Sequence, residues 1–506
     1  MSNSRFYITT AIDYANGPPH LGHALEKIGA DAIARYRRLR GDEVHFVIGM
    51  DEHGQKVAQT AAAHGVSPQE WTDGIAEQFR VTWSALSISN DDFIRTTEPR
   101  HRAAVEEMIR RMEARGDLYR GTYAGFYCIG CEAYKTEDEL EDGRCPVHPT
   151  REIEWMEEED WFFRLSAYRD RLLALLEERP SFVEPEVRRN EVRRMVEDIV
   201  DISVSRSRLS WGIPWPSDPE HSVYVWIDAL TNYLSATGFP GTGYKDLWPA
   251  DLHVIGKDIV RFHCVYWPAM LMSADLELPR QVWAHGFMTM SGGKLSKSSG
   301  VSFTVPEAIE RHGEDALRYY LLREIPWNGD GNFSWDRFDE RYTSDLANDL
   351  GNLANRTLSM LGRYRGGVVP AAALTELDER ADTLIERYTE RMEACLLHEG
   401  AAAAFALVSE ANGFVEARAP WKLAKDPERS AELDSTLASL VRVLAIAAAL
   451  LSPFMPGKMA DLWGRLGTGS TGFPRLDELT AVDPTGWQAA PGEVLFPRPE
   501  LLAARG

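Results

Sequence analysis

A doubly wound parallel α/β sheet, split by a cysteine-bearing insertion and followed by an all-helical bundle, is the fold this sequence predicts. Three observations carry the prediction. Strand-like and helix-like runs alternate from residue 5 to about 120 and resume at residue 223. Between those stretches a cysteine cluster, an acidic run and an Arg/Glu-rich segment break the rhythm. After Phe338 nearly every stretch has helical periodicity.

The elements follow in order. Residues 6–11 read as a strand, and Gly17, Pro18 and Pro19 then turn the chain, because they cannot continue it. A helix follows with apolar positions at Leu25, Ile28, Ala32, Tyr36 and Leu39. His20 and His23 fall on its first turn, on one face, with Gly22 between them. Two imidazoles at a helix N-terminus suit an anion such as a triphosphate. Residues 44–48 form an apolar strand that leads into Asp51-Glu52-His53-Gly54. Ser67-Pro68 opens a helix to Leu86, Phe93-Ile94 is a short strand, and Pro99 opens a helix to Gly116. In such sheets ligands sit beyond the carboxyl ends of the strands, where the His20 turn and Asp51 both lie. Residues 1–117 are therefore read as the first half of a Rossmann-like nucleotide-binding domain.

Residues 118–222 are read as the insertion. Cys128-x-x-Cys131 and Cys145-x-x-His148 are two close pairs of N/S donors, with Gly130, Gly143 and Pro146 supplying turns. Tetrahedral zinc wants four such ligands, and a shell filled by protein makes it structural. The acidic run at 152–160 and a helical segment at 168–198 follow, and Trp211-Gly-Ile-Pro-Trp-Pro closes the insertion. Alternation resumes with a strand at Val223-Tyr-Val-Trp-Ile, then Leu252-His-Val-Ile-Gly, a helix starting at Asp258, and residues 283–290. Lys294-Leu-Ser-Lys-Ser298 follows in a Gly- and Ser-rich loop. Two lysines on a mobile loop suit the clamping of a polyphosphate as it leaves. Residues 223–338 make the second half of the sheet, and 339–506 the bundle, with helices at 345–364, 378–395, 401–417 and 433–451. Cys264 and Cys395 are read as buried apolar thiols.

Composition bounds the function. The chain is 44% hydrophobic and 26% charged, ordinary for a globular protein of two to four domains. A net charge of −22 argues against non-specific coating of nucleic acid but leaves room for a local basic groove. No apolar leader opens the sequence, and the apolar run at 443–451 falls short of the ~18 residues a membrane span needs. Five cysteines are odd in number and clustered, which points away from a disulfide framework and toward a reducing cytoplasm.

His20-Leu-Gly-His23 and Lys294-Leu-Ser-Lys-Ser298 resemble the "HIGH" and "KMSKS" signatures of class I aminoacyl-tRNA synthetases, with Leu in place of Ile and of Met. Further stretches are similar to methionyl-tRNA synthetases of the bacterial type with a single zinc knuckle, from Arg5 to Leu495-Phe-Pro-Arg. The resemblance implies ATP-dependent attachment of L-methionine to tRNA(Met) through a methionyl-adenylate, for translation initiation and elongation. It places His20, His23, Gly256, Lys257, Asp258 and Lys297 on ATP, accompanied by Mg2+, with Lys294 and Lys297 stabilising the transition state. It places Asp51 on the methionine ammonium, and Ile12, Tyr14, Trp226, Ala229, Tyr233, Ile259, Phe262 and His263 around the side chain, with Trp267 in the same aromatic shell. It assigns the CAU anticodon to Asn352, Arg356 and Trp421, which makes the bundle an α-helical anticodon-binding domain.

The chemistry agrees. A thioether offers almost no hydrogen-bonding handle, so its selection rests on shape and sulfur–aromatic contacts of ~0.3–1.5 kcal/mol each. A methylene is worth only ~1–3 kcal/mol, so homocysteine and norleucine are incompletely excluded. Unpaired bases are read by stacking on aromatics and by Arg or Asn hydrogen bonds. Three residues depart from the family pattern: Asp13, Leu230, and Arg261 on the helix lining the pocket, which is expected to point away from it. The competing readings are another synthetase of the class, an amino-acid ligase acting on a small amine, and a non-catalytic RNA-binding paralogue. With no dimerising tRNA-binding-like domain after the bundle, a monomer is expected.

Overall fold

The computed structural model describes residues 4–128, 133–135, 137–146, 149–150, 152–207, 209–290 and 304–498. Its centre is a seven-stranded parallel sheet. The order is Asp13–Tyr14, Glu43–Asp51, Arg5–Thr10, Leu252–Gly256, Val282–His285 and Val183–Glu184, with Asp92–Arg95 paired to Glu43–Asp51. Ile8 stands opposite Phe46 on one side and Leu252 on the other. Side chains alternate across the strand: Phe6 and Ile8 join the core under the Leu21–Arg40 helix, and Tyr7 joins the core on the opposite face. From Arg5–Thr10 the chain winds one way along the sheet, and from Leu252–Gly256 it winds the other. The crevice beyond the carboxyl ends of these two adjacent strands is thus the switch point where a ligand belongs.

The Leu21–Arg40 helix lies across that point, with Leu25, Ile28, Ala32, Tyr36 and Leu39 all buried. Gly41 ends it in the left-handed region, at φ 93°. Gly29 lets it approach its neighbour, since a Cβ there would lie 2.0 Å from the Trp327 ring. The helices Pro68–Ala85 and Pro99–Arg115 start on their prolines, the first capped by Ser67 and Glu70 reciprocally.

Two expectations are corrected. Val223-Tyr-Val-Trp-Ile is not one strand: Asp218–Val223 pairs antiparallel with Ser205–Arg206 and Pro214–Trp215, and Val225–Leu230 is a helix. Every residue of that helix but Trp226 is buried, so its apolar run carries no helical stripe and reads equally as a strand. The helical segment at 168–198 is also two helices, Arg169–Glu178 and Glu186–Glu197, interrupted where Pro180 and Pro185 withhold backbone N–H groups. Between them Val183–Glu184 joins the central sheet beside Val282 and Trp283.

The insertion's own sheet is antiparallel: Leu118–Cys128 pairs with Glu154–Phe163 and Ala133–Lys135, and Ile202–Ser203 adds to its edge. Beyond the sheet, Trp335–Arg341, a π-helical stretch Tyr342–Gly351, and Asn352–Arg365 run on continuously. Glu376–Glu393, Leu397–Arg418, Ser430–Leu451 and Pro456–Arg465 complete the bundle. The apolar stretch 443–451 is buried at every position, as a core helix requires. Bundle and sheet share one hydrophobic core. Arg318 stitches them together, with bonds to Asp31 at 2.6 Å and to the carbonyls of Pro453 and Phe454 at 2.9 and 3.1 Å.

Candidate functional site

At the carboxyl end of Arg5–Thr10 the chain enters the Leu21–Arg40 helix through His20. The structure moves His20 out of the first turn: it is the N-cap, with extended φ −132° and ψ 171°. Its Nδ1 accepts from the N–H groups of Gly22 at 3.1 Å and His23 at 3.3 Å, and His23 Nδ1 accepts in return from His20 N–H at 3.3 Å. Two histidines thus form a reciprocal cap, and their rings stack at 3.6 Å. Burial and the neighbouring His20 push the His23 pKa well below the usual imidazole value. Each neutral ring that accepts at Nδ1 carries its proton on Nε2, which can donate to a phosphate oxygen. Gly22 makes the arrangement possible, since a Cβ there would press on the His20 ring at 2.9 Å.

Across the crevice, Leu252–Gly256 ends in Gly256, Lys257 and the exposed Asp258. Lys257 Nζ holds both oxygens of Asp330, at 2.7 and 2.8 Å, and sits 4.5 Å from the centre of the Phe287 ring. Asp51 closes the Glu43–Asp51 strand, where its carbonyl accepts from Ala15 N–H at 2.9 Å. Tyr14 pairs with it at the sheet edge, and Ile12 and Tyr14 are both half-buried. Lys294 and Lys297 lie outside the described residues.

The aromatic shell assembles from two helices of the second half. Trp226 and Phe262 stack at 3.6 Å and 3° between planes. Tyr233 O–H donates to His263 Nε2 at 2.6 Å, and His263 Nδ1 donates to Ile259 O at 3.1 Å. Burial holds the His263 pKa down at about 4, so the ring stays neutral, and its one proton on Nδ1 is the tautomer this pair of bonds requires. Trp267 lies behind, fully buried, with its indole N–H toward His253 at 3.3 Å, and Ala229 is buried on the Trp226 helix. A π-helical turn spans Phe262–Tyr266, the part of the helix that carries Phe262 and His263. Pro268, lacking an N–H, follows two residues after it. Arg261 points outward as expected, half-exposed and 3.7 Å from Glu139 of the insertion. Leu230 is buried.

Two buried ionic groups beneath this crevice escape sequence reasoning. Asp228, on the Trp226 helix, takes His53 Nδ1 on one oxygen and His101 Nε2 on the other, each at 2.6 Å, and Ser235 Oγ lies 2.9 Å from His101 Nδ1. The other group is Asp13, Glu26, Lys27 and His285: Lys27 Nζ lies 3.0 Å from Asp13 and 2.9 Å from Glu26, and Glu26 lies 3.2 Å from His285. The departure at Asp13 is therefore met by a buried lysine. One signal for it does stand in the sequence: Glu26 and Lys27 fall inside an otherwise apolar helix stretch with Leu25 and Ile28 beside them.

Cys128, at the end of Leu118–Cys128, and Cys145 are both wholly buried in the insertion, whereas Cys131 and His148 lie outside the described residues. Among the described residues no three His, Cys, Asp or Glu side chains gather to hold a metal. Each thiol is shielded from water, and thiolate donors are the chemistry a soft cation takes. Cys264 and Cys395 are buried too, and burial pushes the Cys395 thiol up to about 12.

In the bundle, the Arg356 guanidinium lies 5.6 Å from the centre of the Trp421 ring and bonds Glu416 at 2.7 Å. Asn352 is exposed one turn earlier, directly after the π-helical stretch. Trp421 follows Ala419, which adopts φ 44°, a left-handed conformation costly for a residue with a Cβ.

Comparison with known proteins places this geometry. The family profile "tRNA synthetases class I (M)" matches residues 6–153 and 138–358, and "Anticodon binding domain of methionyl tRNA ligase" matches 366–500. The chain belongs to the class I aminoacyl-tRNA synthetases. The methionine–tRNA ligase of Rhizobium meliloti (strain 1021) is 49% identical over 475 residues, 91% of this chain and 92% of its own. That of Brucella suis biovar 1 is 44% identical over 510 residues, 98% of each chain. A solved structure of Mycobacterium tuberculosis methionyl-tRNA synthetase in complex with methionyl-adenylate superposes with a TM-score of 0.94 at 42% identity, covering 98% of this chain and 100% of that one. Within the class, the chain is a member of the methionyl-tRNA synthetase family.

Proposed function

We propose that the protein joins L-methionine to tRNA(Met) at the expense of ATP, in two steps at the crevice between the central strands. One observation carries the reading: the reciprocal His20–His23 cap, a phosphate cradle, faces the same crevice as the stacked Trp226–Phe262 and Tyr233–His263 pairs, a site for an apolar, weakly polar side chain. In the first step a methionine carboxylate oxygen bonds to the α-phosphorus of ATP, the bond to the β-phosphate oxygen breaks, and pyrophosphate leaves. In the second, a terminal ribose hydroxyl of the tRNA attacks the carbonyl, and AMP leaves.

In this reading Nε2–H of His20 and His23 donate to the phosphates as charge shifts toward the leaving group. Lys294 and Lys297 add charge from the loop, Gly256, Lys257 and Asp258 meet the nucleotide, and Asp51 holds the methionine ammonium. Ile12, Tyr14, Trp226, Ala229, Tyr233, Ile259, Phe262 and His263 shape the pocket, backed by Trp267. Mg2+, bound with ATP, would supply further neutralisation of the phosphates. Cys128, Cys131, Cys145 and His148 would hold one structural zinc. The division into 1–117, 118–222, 223–338 and 339–506 assigns activation to the first and third parts and tRNA selection to the last. Asn352, Arg356 and Trp421 read the anticodon there. The expected setting is the cytoplasm, with the chain acting as a monomer.

Amino-acid-dependent ATP–pyrophosphate exchange tests the reading. Strong exchange with methionine is expected, and exchange with another amino acid but none with methionine would sink it. The two ends of the molecule separate in Trp421→Ala. Exchange should persist, while kcat/KM for tRNA falls at least about fivefold, in keeping with ~1–3 kcal/mol per stacked base.

A further inference from the structure

Lys27 is wholly buried, yet it lies at the floor of the crevice on the helix that begins with the histidine cap. Its ammonium donates to Ala11 O at 2.8 Å, Asp13 Oδ1 at 3.0 Å and Glu26 Oε1 at 2.9 Å, which occupies all three of its donors. Glu26 continues the chain across the switch point, its Oε2 lying 3.2 Å from Nε2 of His285 at the end of Val282–His285. The hydrogen bond that Asp13 Oδ1 accepts comes from Lys27, and Asp13 Oδ2 is buried with no hydrogen-bond partner among the described residues.

A buried ionic cluster is an expensive way to hold a fold together, because apolar side chains of the same volume serve as well or better. What this one holds is specific. Ala11 precedes Ile12, and Asp13 stands between Ile12 and Tyr14, so the ammonium ties down the segment that lines the substrate side of the crevice. The helix itself has other anchors: Arg318 on Asp31 at 2.6 Å, and Trp327 packed into the notch at Gly29. Loss of the ammonium therefore frees the Ala11 carbonyl, the Asp13 carboxylate and Glu26, while the pairing of Asp13–Tyr14 with Met50 and Asp51 and the histidine cap keep their place.

We propose that Lys27 is a positioning residue for methionine activation, fixing Ile12 and Tyr14 through Ala11 and Asp13, and fixing the Glu26–His285 link between the two halves of the sheet. The inference rests on the methionine-activating reading above. Its weight falls on methionine rather than on ATP, because Ile12 and Tyr14 belong to the pocket whereas His20 and His23 are held by their own reciprocal cap.

The test is methionine-dependent ATP–pyrophosphate exchange, with active sites titrated, in the full chain, in K27M and in D13N/K27M. The double variant keeps the cluster's net charge and so remains readable where K27M alone fails to fold. In both variants KM for methionine should rise at least tenfold while KM for ATP stays within threefold, per titrated site. An active parent chain with an unchanged methionine KM in the variants, or with a loss confined to the fraction of active sites, overturns the positioning role alone. A parent chain that exchanges with other amino acids and never with methionine overturns the activity reading, and the inference with it.

Discussion

Two carboxylates lie buried beneath the same crevice, and the protein treats them in opposite ways. Burial acts on both to raise the pKa. Asp228 escapes that effect, since His53 and His101 bond its two oxygens at 2.6 Å each and bring its pKa down to about 2. Asp13 does not escape: Lys27 pulls it down through one oxygen, Glu26 pushes it up, its second oxygen has no hydrogen-bond partner among the described residues, and its pKa rises to about 7. Depth of burial is therefore a poor guide to charge. The number of donors on each oxygen, and the sign of the next neighbour, decide which group stays ionised.

The largest effect should come from removing the better-satisfied partner. Asp228→Ala strands two buried imidazoles and unlocks the Trp226 helix from the segment after Asp51, and should cost about 3–5 kcal/mol in denaturant unfolding. A cost below about 1 kcal/mol would mean that the two histidines do not depend on it.

The pH dependence separates the pair by sign. Asp228 has a folded pKa below its unfolded one, so its stabilisation of about 2 kcal/mol is present above about pH 4 and is lost as pH falls toward 2. Asp13 has a folded pKa above its unfolded one, so its contribution is present below about pH 4 and is lost as pH rises through about 7. Stability measured against pH should accordingly show Asp228→Asn flattening the acid window, and Asp13→Asn gaining on the parent chain between pH 5 and 8. If both substitutions flatten the same window, the contrast drawn here is wrong.

A smaller effect is expected at Tyr233→Phe. It removes the hydroxyl from His263 Nε2, worth about 1 kcal/mol, and should lower kcat/KM for methionine activation about fivefold, as read by pyrophosphate exchange. Metal content gives a separate check on the insertion: one zinc per chain is expected, and Cys128→Ser should abolish it.

Much of the molecule could be read from local chemistry. Ser67-Pro68 and Pro99 open their helices where capping rules put them, and the apolar stripe from Leu25 to Leu39 is buried along the Leu21–Arg40 helix. The pairing of His20 with His23 was legible because both residues and the Gly between them lie within four positions. The Val225–Leu230 helix was not legible, because burial on nearly all sides erases the periodicity that distinguishes helix from strand. The π-helical turns at Phe262–Tyr266 and Tyr342–Gly351 left no such signal either, although Pro268 marks the first with hindsight.

The sequence by itself determined the class of fold and the places where the chain turns, since propensity, capping and short spacings act over a few residues. Tertiary structure decided how the pocket is charged. Lys27, Glu26 and Asp13 look like ordinary helix and turn residues until the sheet brings His285 beside Glu26, and Asp228 until Pro99–Arg115 presents His101. Those pairings span 127 residues for His101 and Asp228 and 259 for Glu26 and His285. Interactions of that range depend on which strands become neighbours, and no local rule encodes it.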